Sequence, residues 1–381
     1  MQYTEYELGE LLPFEQPTAY IVKSTDYCDA YATPVLTAGK SFILGKTNET
    51  DGIFDQLPVI IFDDFTTATQ FVNFRFKVKS SAMKILHINT DLVIPKYIFY
   101  RLQIIQFDHS THKRYWIQSY SKIKVLIPPL DEQSRIVAHI EELFSELDKA
   151  VDTLKTTKEQ LEVYRQAVMK DAFQEKESII RLGDAIEKPR YGTSKKCDYP
   201  CTANSTAVLR IPNIDTKNGR VDSSDLKYAE FNEKELEQLS LKNGDILIIR
   251  SNGSVSLVGS SAIIRKCDTD KTYAGYLMRL RILNKEKLLP KYLLYYLSSP
   301  DARRYIESVA KSTSGVNNIN SQEISKLCVP LSSIEKQKKT VAEIEMKLSV
   351  YHEIEKSVDT VLVQADAMRQ SILKQAFEGA L

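Results

Sequence analysis

Basic and hydroxyl side chains cluster early in the second half of the chain, in a pattern suited to binding phosphate groups. Lys195 and Lys196 follow a glycine-containing turn that also carries the hydroxyls of Thr193 and Ser194. Proteins contact a nucleic-acid backbone with such ammonium groups, hydroxyls and backbone amides. Tyr191, which begins the turn, could stack on a base or simply pack, and the loop could also be an ordinary hydrated turn. We favour contact with DNA.

Side chains suited to base edges lie further along the same region. Arg210 and Asn213 flank a short apolar stretch, and a later turn contains Arg250, Ser251 and Asn252. Guanidinium and amide groups carry the paired donors and acceptors that match guanine and adenine edges. Arg250 could instead form a salt bridge that holds its turn.

The first half of the chain has a comparable basic set, which comprises Lys40, Lys46, Arg75, Lys77, Lys79 and Lys84. Arg75, Lys77 and Lys79 alternate along a predicted strand over residues 71–79, so they would share one face of a sheet. That face could contact phosphates or be the hydrated side of an ordinary sheet. We favour the first interpretation.

Catalytic patterns are incomplete in this sequence. Residues 39–41 resemble the end of a phosphate-binding loop, but Pro34 occupies the position of its first glycine. Asp63 and Asp64 follow an apolar run, and a turn explains them better than a metal site does. A base-methylation motif and a glycine-rich cofactor loop are also missing. We therefore predict no catalytic residues.

The cysteines do not predict a metal site either. The sequence has five cysteines, Cys28, Cys197, Cys201, Cys267 and Cys328. Their positions do not show the paired two-residue spacings of a zinc site. We expect reduced thiols and no bound metal.

Composition sets the outer limits on the kind of protein. The chain has 381 residues, of which 43% are apolar and 27% are charged. This length is enough for two ordinary domains. The sequence contains no apolar run near the roughly 20 residues needed to cross a bilayer, and its start lacks a basic region followed by an apolar one. We expect a cytoplasmic protein. The formal net charge of +1 neither requires nor excludes nucleic acid, since acidic helices can offset basic faces.

The chain repeats itself. Residues 140–173 recur as residues 344–377 with the same helical pattern, and both copies end on an alanine followed by a phenylalanine. A helix over the first copy and its flanks would be about 65 Å long at roughly 1.5 Å per residue. Such an element predicts a spacer between two related halves.

Apolar residues recur every seven positions in both copies, which is typical of a coiled-coil seam. A narrow apolar stripe needs a partner helix, and the other copy lies in the same chain. Lys158 and Glu355 interrupt the rows, and could either fix the register or open the bundle to another subunit. We predict an antiparallel pair of long helices that meet along Ile140, Leu147, Leu154, Leu161, Val168, Ile344, Tyr351, Val358, Ala365 and Ile372.

Two β-rich regions alternate with the long helices. Both regions open on similar short segments, at residues 8–11 and 182–185, and both carry a proline-led helix near their end, at Pro95 and Pro290. The predicted fold is α/β, with a pseudo-two-fold internal repeat. Its predicted boundaries are residues 1–128 and 177–330 for the globular domains, and 129–176 and 331–381 for the helices.

Four runs of sequence resemble those of the specificity subunit of type I restriction-modification systems. They are IPPLDEQ at residues 127–133, ILKQAFEG at 372–379, and YGTSKK at 191–196 followed by VLRIPNI at 208–214. The last pair is similar to the target recognition domains of that family. The second helix differs at its start, because VPLSSIEKQ at residues 329–337 lacks the doubled proline and the adjacent glutamate and glutamine.

This resemblance implies a non-catalytic subunit whose two target recognition domains each read half of a split, asymmetric DNA target. The helices would set the gap between the halves and dock two methyltransferase subunits, and restriction subunits could join them. The chain itself would bind no cofactor, whereas its partners would use S-adenosylmethionine, ATP and Mg. The alternative is a coiled-coil scaffold whose globular domains bind proteins and not DNA.

Overall fold

The computed structural model describes residues 3–37, 41–108, 114–175, 177–199, 202, 204–313 and 315–378. The chain forms two compact units. The first unit consists of Met1–Lys155 and Asp359–Leu381, and the second consists of Thr156–Val358. Each unit therefore combines one β-rich region with a stretch of both long helices.

The first unit contains the strands β1 (Thr4–Glu7), β2 (Phe14–Glu15), β3 (Thr33–Leu36), β4 (Ile43–Thr47), β5 (Val59–Asp63), β6 (Thr69–Val72), β7 (Lys77–Val78), β8 (Met83–His87) and β9 (Lys124–Ile127). Its short helices are α1 (Leu8–Leu11), α2 (Pro95–Leu102) and α3 (Tyr115–Gln118). β2, β8, β5 and β6 form an antiparallel sheet in that order, β3 joins β4 and β7, and β1 pairs with β9.

Strand β5 divides the core of the first unit into two parts. Ile60 and Phe62 belong to one buried cluster, whereas Val59 and Ile61 belong to another. Successive side chains of a strand point to opposite faces, so a strand buried on both faces reads as a continuous apolar run. The first long helix, α4 (Leu130–Asp171), follows β9.

The second unit contains the strands β10 (Ser178–Arg181), β11 (Arg190–Tyr191), β12 (Ser205–Leu209), β13 (Ile214–Asp215), β14 (Arg220–Val221), β15 (Lys227–Glu230), β16 (Ile246–Ile249), β17 (Ser251–Asn252), β18 (Ser261–Ile263), β19 (Thr272–Tyr273), β20 (Leu277–Leu280), β21 (Lys311–Thr313), β22 (Val316–Asn318) and β23 (Cys328–Leu331). Its helices are α5 (Leu182–Ala185), α6 (Glu233–Gln238), α7 (Pro290–Leu297), α8 (Pro300–Val309), α9 (Ser321–Ser325) and the second long helix, α10 (Ile334–Glu378).

The main sheet of the second unit runs in the order β11, β20, β16, β18, β14 and β13. Smaller sheets join β15, β12 and β19, and β17, β22 and β21, while β10 pairs with β23. Strand β16 repeats the arrangement of β5, because Ile246 and Ile248 enter one core cluster and Leu247 and Ile249 enter another.

The long helices pair antiparallel within each unit, as predicted. At 42 and 45 residues they are about 63 and 68 Å long. In the first unit Ile140 packs with Leu373 and Ala376, and in the second the Tyr351 hydroxyl donates to Glu162 at 2.6 Å. The predicted seam residues are all buried except Leu147, Leu154 and Ile372, which are half-buried.

A buried glutamine anchors the start of each long helix. Gln133 accepts a hydrogen bond from the Ile94 amide at 2.7 Å and donates to the Leu92 and Pro128 carbonyls. Gln337 accepts from the Leu289 amide at 2.9 Å and donates to two carbonyls in the same way. The different sequence before the second helix therefore leaves its entry intact.

The phenylalanine that ends each repeat packs on the proline-led helix of one globular region. Phe377 meets Tyr97 of α2 with ring centroids 5.2 Å apart, and Phe173 meets Tyr292 of α7 at 5.1 Å. The repeated ending is therefore a packing signature. Together with the repeated β1–β9 and β10–β23 ladders, it confirms the predicted α/β fold with an internal repeat.

Candidate nucleic-acid interface

A cleft of about 660 Å³ opens in the second unit beside β11 and the turn that follows it. Several elements supply its walls, including the start of the loop after β12 and the turn before β20. It brings together predicted site residues that are distant in sequence, namely Tyr191, Thr193, Ser194, Lys195, Arg210 and Arg250.

Arg250 lies over the ring of Tyr191, with its guanidinium carbon 4.4 Å from the ring centroid. Its Nη1 donates to the Gly275 carbonyl at 3.2 Å, and its buried Nε has no hydrogen-bond partner among the described residues. The Tyr191 hydroxyl accepts from the Ser321 amide at 2.9 Å, which fixes the ring. A ring and a carbonyl therefore hold this arginine, and within the described chain no carboxylate forms a salt bridge with it.

Arg210 is held on one side only. Its Nη2 donates to the Asp225 backbone at 2.9 Å and to the Asp225 carboxylate at 3.0 Å, while its buried Nε lacks a partner in the described part of the chain. Hydrogen bonds from Tyr199 and then from Arg210 lower the pKa of Asp225, so that carboxylate stays charged. Arg210 can therefore offer its remaining donors to a ligand in the cleft.

Asn213 does not face the cleft, contrary to the prediction that it reads a base. It is 1% exposed, its Nδ2 donates to the carbonyls of Asp222 and Asp225, and its Oδ1 accepts from the Arg210 amide at 2.9 Å. These bonds satisfy its whole amide group. Asn213 therefore positions the backbone of Arg210.

The two lysines after the turn differ in their freedom. Lys195 donates to the Glu230 carbonyl at 2.9 Å and to Glu235 at 2.7 Å, and the latter bond lowers the pKa of Glu235. The Lys196 side chain is 90% exposed and forms an ion pair with Asp198 at 3.3 Å. A phosphate must replace Glu235 to engage Lys195, whereas Lys196 is already accessible.

The turn itself depends on Gly192. A Cβ atom at this position would lie 2.2 Å from the Tyr273 carbonyl oxygen and 2.4 Å from that of Ala274. The Thr193 amide donates to the Tyr273 carbonyl, and the Thr193 hydroxyl accepts from the Lys195 amide at 3.0 Å. Ser194 is exposed at the rim. Only glycine lets the backbone approach so closely.

Ser251 and Asn252 serve the strand pairing of β17 with β22. Ser251 is buried, which removes it from the accessible residues that were predicted to contact DNA. Asn252 is half-buried, and its Oδ1 accepts from the Ser254 amide at 2.9 Å. Its amide nitrogen remains available for a ligand contact.

In the first unit, two of the predicted DNA-contacting lysines are buried. Lys77 forms an ion pair with Glu49 at 2.9 Å and donates to the Asp51 carbonyl, and its side chain is 1% exposed. Lys84 forms an ion pair with Asp64 at 3.3 Å, also at 1% exposure. A buried charge requires such a partner, so these lysines stabilise the core and are not accessible to phosphates.

The remaining basic residues of the first unit do not form the predicted strand face. Residues 71–79 divide between β6 and β7, so Arg75 lies outside both strands and the expected alternation fails. Arg75 and Lys79 are exposed, and Lys46 is half-buried on β4. Lys40 lies outside the described residues.

Two cleft residues were not predicted from the sequence. Lys227 of β15 lies over the Tyr199 ring, 4.9 Å from its centroid, and Tyr276 is 62% exposed. Tyr276 follows a glycine in a turn, and an exposed aromatic side chain in a turn is a usable signal. Lys227 has no such signal, because only the fold brings β15 to the cleft.

The sequence matches a family model described as the type I restriction modification DNA specificity domain, over residues 2–163 and 176–356. The chain belongs to this family. Each matched region covers one β-rich region and the first part of the long helix that follows it. Specificity subunits are non-catalytic, and the chain is such a subunit.

Curated relatives agree with this family. The chain is 34% identical over 360 residues to the type I restriction enzyme EcoR124I/EcoR124II specificity subunit of Escherichia coli, covering 88% of this chain and 84% of the relative. It is 29% identical over 278 residues to the EcoKI specificity subunit of Escherichia coli strain K12. That second match covers 69% of this chain but only 59% of the relative.

Solved structures share the fold. A chain from a study of complex assembly and conformational transition of the type I R-M system superposes with a TM-score of 0.71, covering 100% of this chain and 98% of the other at 16% identity. The HsdS subunit from Thermoanaerobacter tengcongensis gives a TM-score of 0.52, with 100% and 97% coverage, also at 16% identity.

No helix in the described part of the chain combines the length and the hydrophobicity that a membrane span requires. The same residues contain no cluster of three or more histidine, cysteine or acidic side chains able to hold a metal ion.

Proposed function

We propose that this specificity subunit reads a bipartite, asymmetric DNA target, and that the cleft of the second unit contacts one half of it. The arrangement of Arg250 over Tyr191 is the observation that supports this most strongly. The ring and the Gly275 carbonyl fix the guanidinium, yet Nε and part of the fork remain unpaired in the described chain. A guanidinium fixed in this way suits a bidentate contact with the O6 and N7 atoms of guanine.

Arg210 adds a second donor group to the same cleft. Asp225 and the Asn213 amide fix its position from behind. Two arginines held in this way orient their hydrogen-bond donors more strictly than a general positive patch does, because each has limited rotational freedom when it meets a base edge.

Phosphate contacts would come from the rim of the cleft. Lys196 and Ser194 are exposed there, and Lys195 can exchange its bond to Glu235 for a phosphate. These contacts position DNA without reading its sequence.

The target is asymmetric in this proposal because the two units share a frame but not a binding surface. The ladders and glutamine anchors repeat, whereas the basic residues do not. In the first unit, Arg75, Lys79 and Lys46 are the accessible members of the predicted set, and we assign them to the other half-site.

Methyltransferase subunits would dock on the long helices. In the second unit Val163, Met346 and Val350 are 70%, 62% and 51% exposed, and in the first unit Val363 and Met368 are 73% and 54% exposed. Apolar side chains left in water along a helix suit burial by a partner. Two methyltransferase subunits and restriction subunits would then supply the catalysis with S-adenosylmethionine, ATP and Mg, in the cytoplasm where the DNA lies.

The competing function is a scaffold that binds only proteins, and the exposed apolar residues of the helices agree with it equally well. Titration of a random-sequence duplex with the purified chain at several salt concentrations separates the two. A DNA-binding subunit gives a log affinity that falls linearly with log salt. A scaffold shows no binding to the duplex at any of these concentrations.

A further inference from the structure

The two units contain equivalent sites at which an arginine of one long helix meets the other helix, and these sites differ at two residues. In the first unit Arg369 forms an ion pair with Asp148 and lies over the Phe144 ring, 5.0 Å from its centroid. The repeat places Arg165 and His352 at the corresponding positions of the second unit. There, histidine replaces the aspartate that neutralises the arginine, and Leu348 replaces the phenylalanine on which the arginine lies.

A cavity of about 250 Å³ occupies this site in the second unit. The long helices contribute Arg165, Glu345 and His352, and the hairpin between β13 and β14 contributes Lys217 and Arg220. Asn218, Ser298, Ser349 and the Tyr295 ring complete much of the polar lining.

The charges around the cavity do not cancel. Lys217 forms an ion pair with Glu355, and Glu345 pairs with Lys291 at 2.6 Å, so these carboxylates are already engaged. Arg165 and Arg220 form no salt bridge within the described chain. The positive charges of these two arginines are therefore not neutralised by an ion pair beside the cavity.

Two buried nitrogen atoms of this site also lack hydrogen-bond partners among the described residues. They are Arg165 Nε and His352 Nε2. Arg165 is held only through its Nη2, which donates to the Lys217 carbonyl at 3.1 Å. Buried polar groups without partners are costly, and a ligand with several acceptor oxygens would satisfy both at once.

We propose that this cavity binds a small oxyanion of the phosphate class, with Arg165, Arg220 and His352 as its donors. The oxyanion takes the place that the Asp148 carboxylate holds in the first unit. Tetrahedral oxyanions accept several charge-assisted hydrogen bonds, and the cavity has room for one with a few water molecules. Bound there, it ties the β13–β14 hairpin to the long helices.

The lowered pKa of His352 agrees with this site. Burial, together with the charges of Lys217, Arg165 and Arg220, lowers the pKa of His352 against the opposing effect of Glu355. A neutral imidazole can donate one hydrogen bond through Nε2. The oxyanion therefore meets a neutral donor between two cations.

Equilibrium dialysis of the full chain with radiolabelled inorganic phosphate, at constant ionic strength set with chloride, tests the proposal. We expect one phosphate per chain. His352→Asp supplies an internal carboxylate to Arg165, as in the first unit, and Arg165→Met removes the main donor. Each should weaken phosphate binding by about tenfold or more. Arg304→Met, which removes an exposed arginine paired with Asp301 on α8, is the control and should leave phosphate binding unchanged.

Thermal unfolding of His352→Asp in phosphate-free buffer verifies that the variant folds, and we expect its Tm to equal or exceed that of the wild type. Competition by adenosine monophosphate identifies a nucleotide as the source of the oxyanion, and its failure to compete identifies a free ion. The proposal is overturned if the wild type binds no phosphate beyond that seen with His352→Asp. It is also overturned if Arg165→Met leaves phosphate binding unchanged and weakens only the binding of a protein partner. In that case the cavity receives a carboxylate of the partner and not a small oxyanion.

Discussion

At the scale of single residues, the cleft of the second unit depends on arginines that the protein holds incompletely. Arg250 is fixed by a ring and a carbonyl, and Arg210 by one aspartate. Gly192 allows the turn beside them to approach the β19 backbone. The proposed division between residues that read bases and residues that contact phosphates can therefore be tested one side chain at a time.

Arg250→Ala should relax the recognition of one base in one half of the target. The expected loss is about 1 to 3 kcal/mol for matched DNA, with little change for mismatched DNA, because the lost contact is specific to one base. Affinities for matched and mismatched duplexes measure this difference. Arg304→Ala, which removes an exposed arginine paired with Asp301 on α8, is the control and should change neither affinity. An equal loss for every duplex would show that Arg250 contacts phosphate.

Lys196→Ala should weaken binding to all sequences alike and lower the slope of log affinity against log salt by about 1, as expected for one lost phosphate contact. Lys195→Ala should have a smaller effect, because the wild-type lysine must first give up its bond to Glu235. Salt titrations of both variants give the two slopes. A loss confined to one DNA sequence would contradict this assignment.

At the scale of elements, the sequence predicts the long helices, because their pairing depends on a periodic apolar pattern. A seven-residue apolar repeat over residues 140–173 and 344–377 indicates long paired helices, since only that geometry buries such a stripe. The long helices are slightly shorter than the predicted segments, because residues 172–175 lie beyond the end of α4 and β23 ends at Leu331, the first residue that was assigned to the second helix.

The cleft was predictable only in part. Tyr191, Lys195 and Arg250 were found by residue type, but type does not show which way a side chain points. Lys77 and Asn213 turned out to be buried because the register of neighbouring elements places a carboxylate or carbonyl group beside them. Lys227 reaches the cleft through strand pairing that no local pattern reveals.

Shortening both long helices tests their role as a spacer. Deleting residues 154–160 together with 358–364 removes one heptad from the centre of each helix and keeps the seam in phase. The helices shorten by about 10 Å, so the preferred gap between half-sites should shrink by about three base pairs while the bases read stay the same. Sequencing of DNA methylated by the assembled variant reports the gap. An assembled, active variant that keeps the original gap would show that the helices do not set it.

At the scale of the whole molecule, one frame is used twice. Each unit closes its globular region with a two-stranded ladder, anchors a long helix through a buried glutamine, and receives the phenylalanine that ends the other helix. The residues proposed to contact DNA do not follow the repeat. This combination fits two independent readers that are attached to a shared support.

Exchange of the second reader tests the central claim most directly. Residues 177–330 are replaced by those of a relative, and DNA exposed to the chain with its methyltransferase partner is sequenced for methylated sites. For the wild type we predict two unequal blocks of fixed bases separated by a constant gap, and for the exchange variant a change in one block only, with the gap retained. Methylated sites that share no sequence, or an exchange that alters both blocks, would contradict the account.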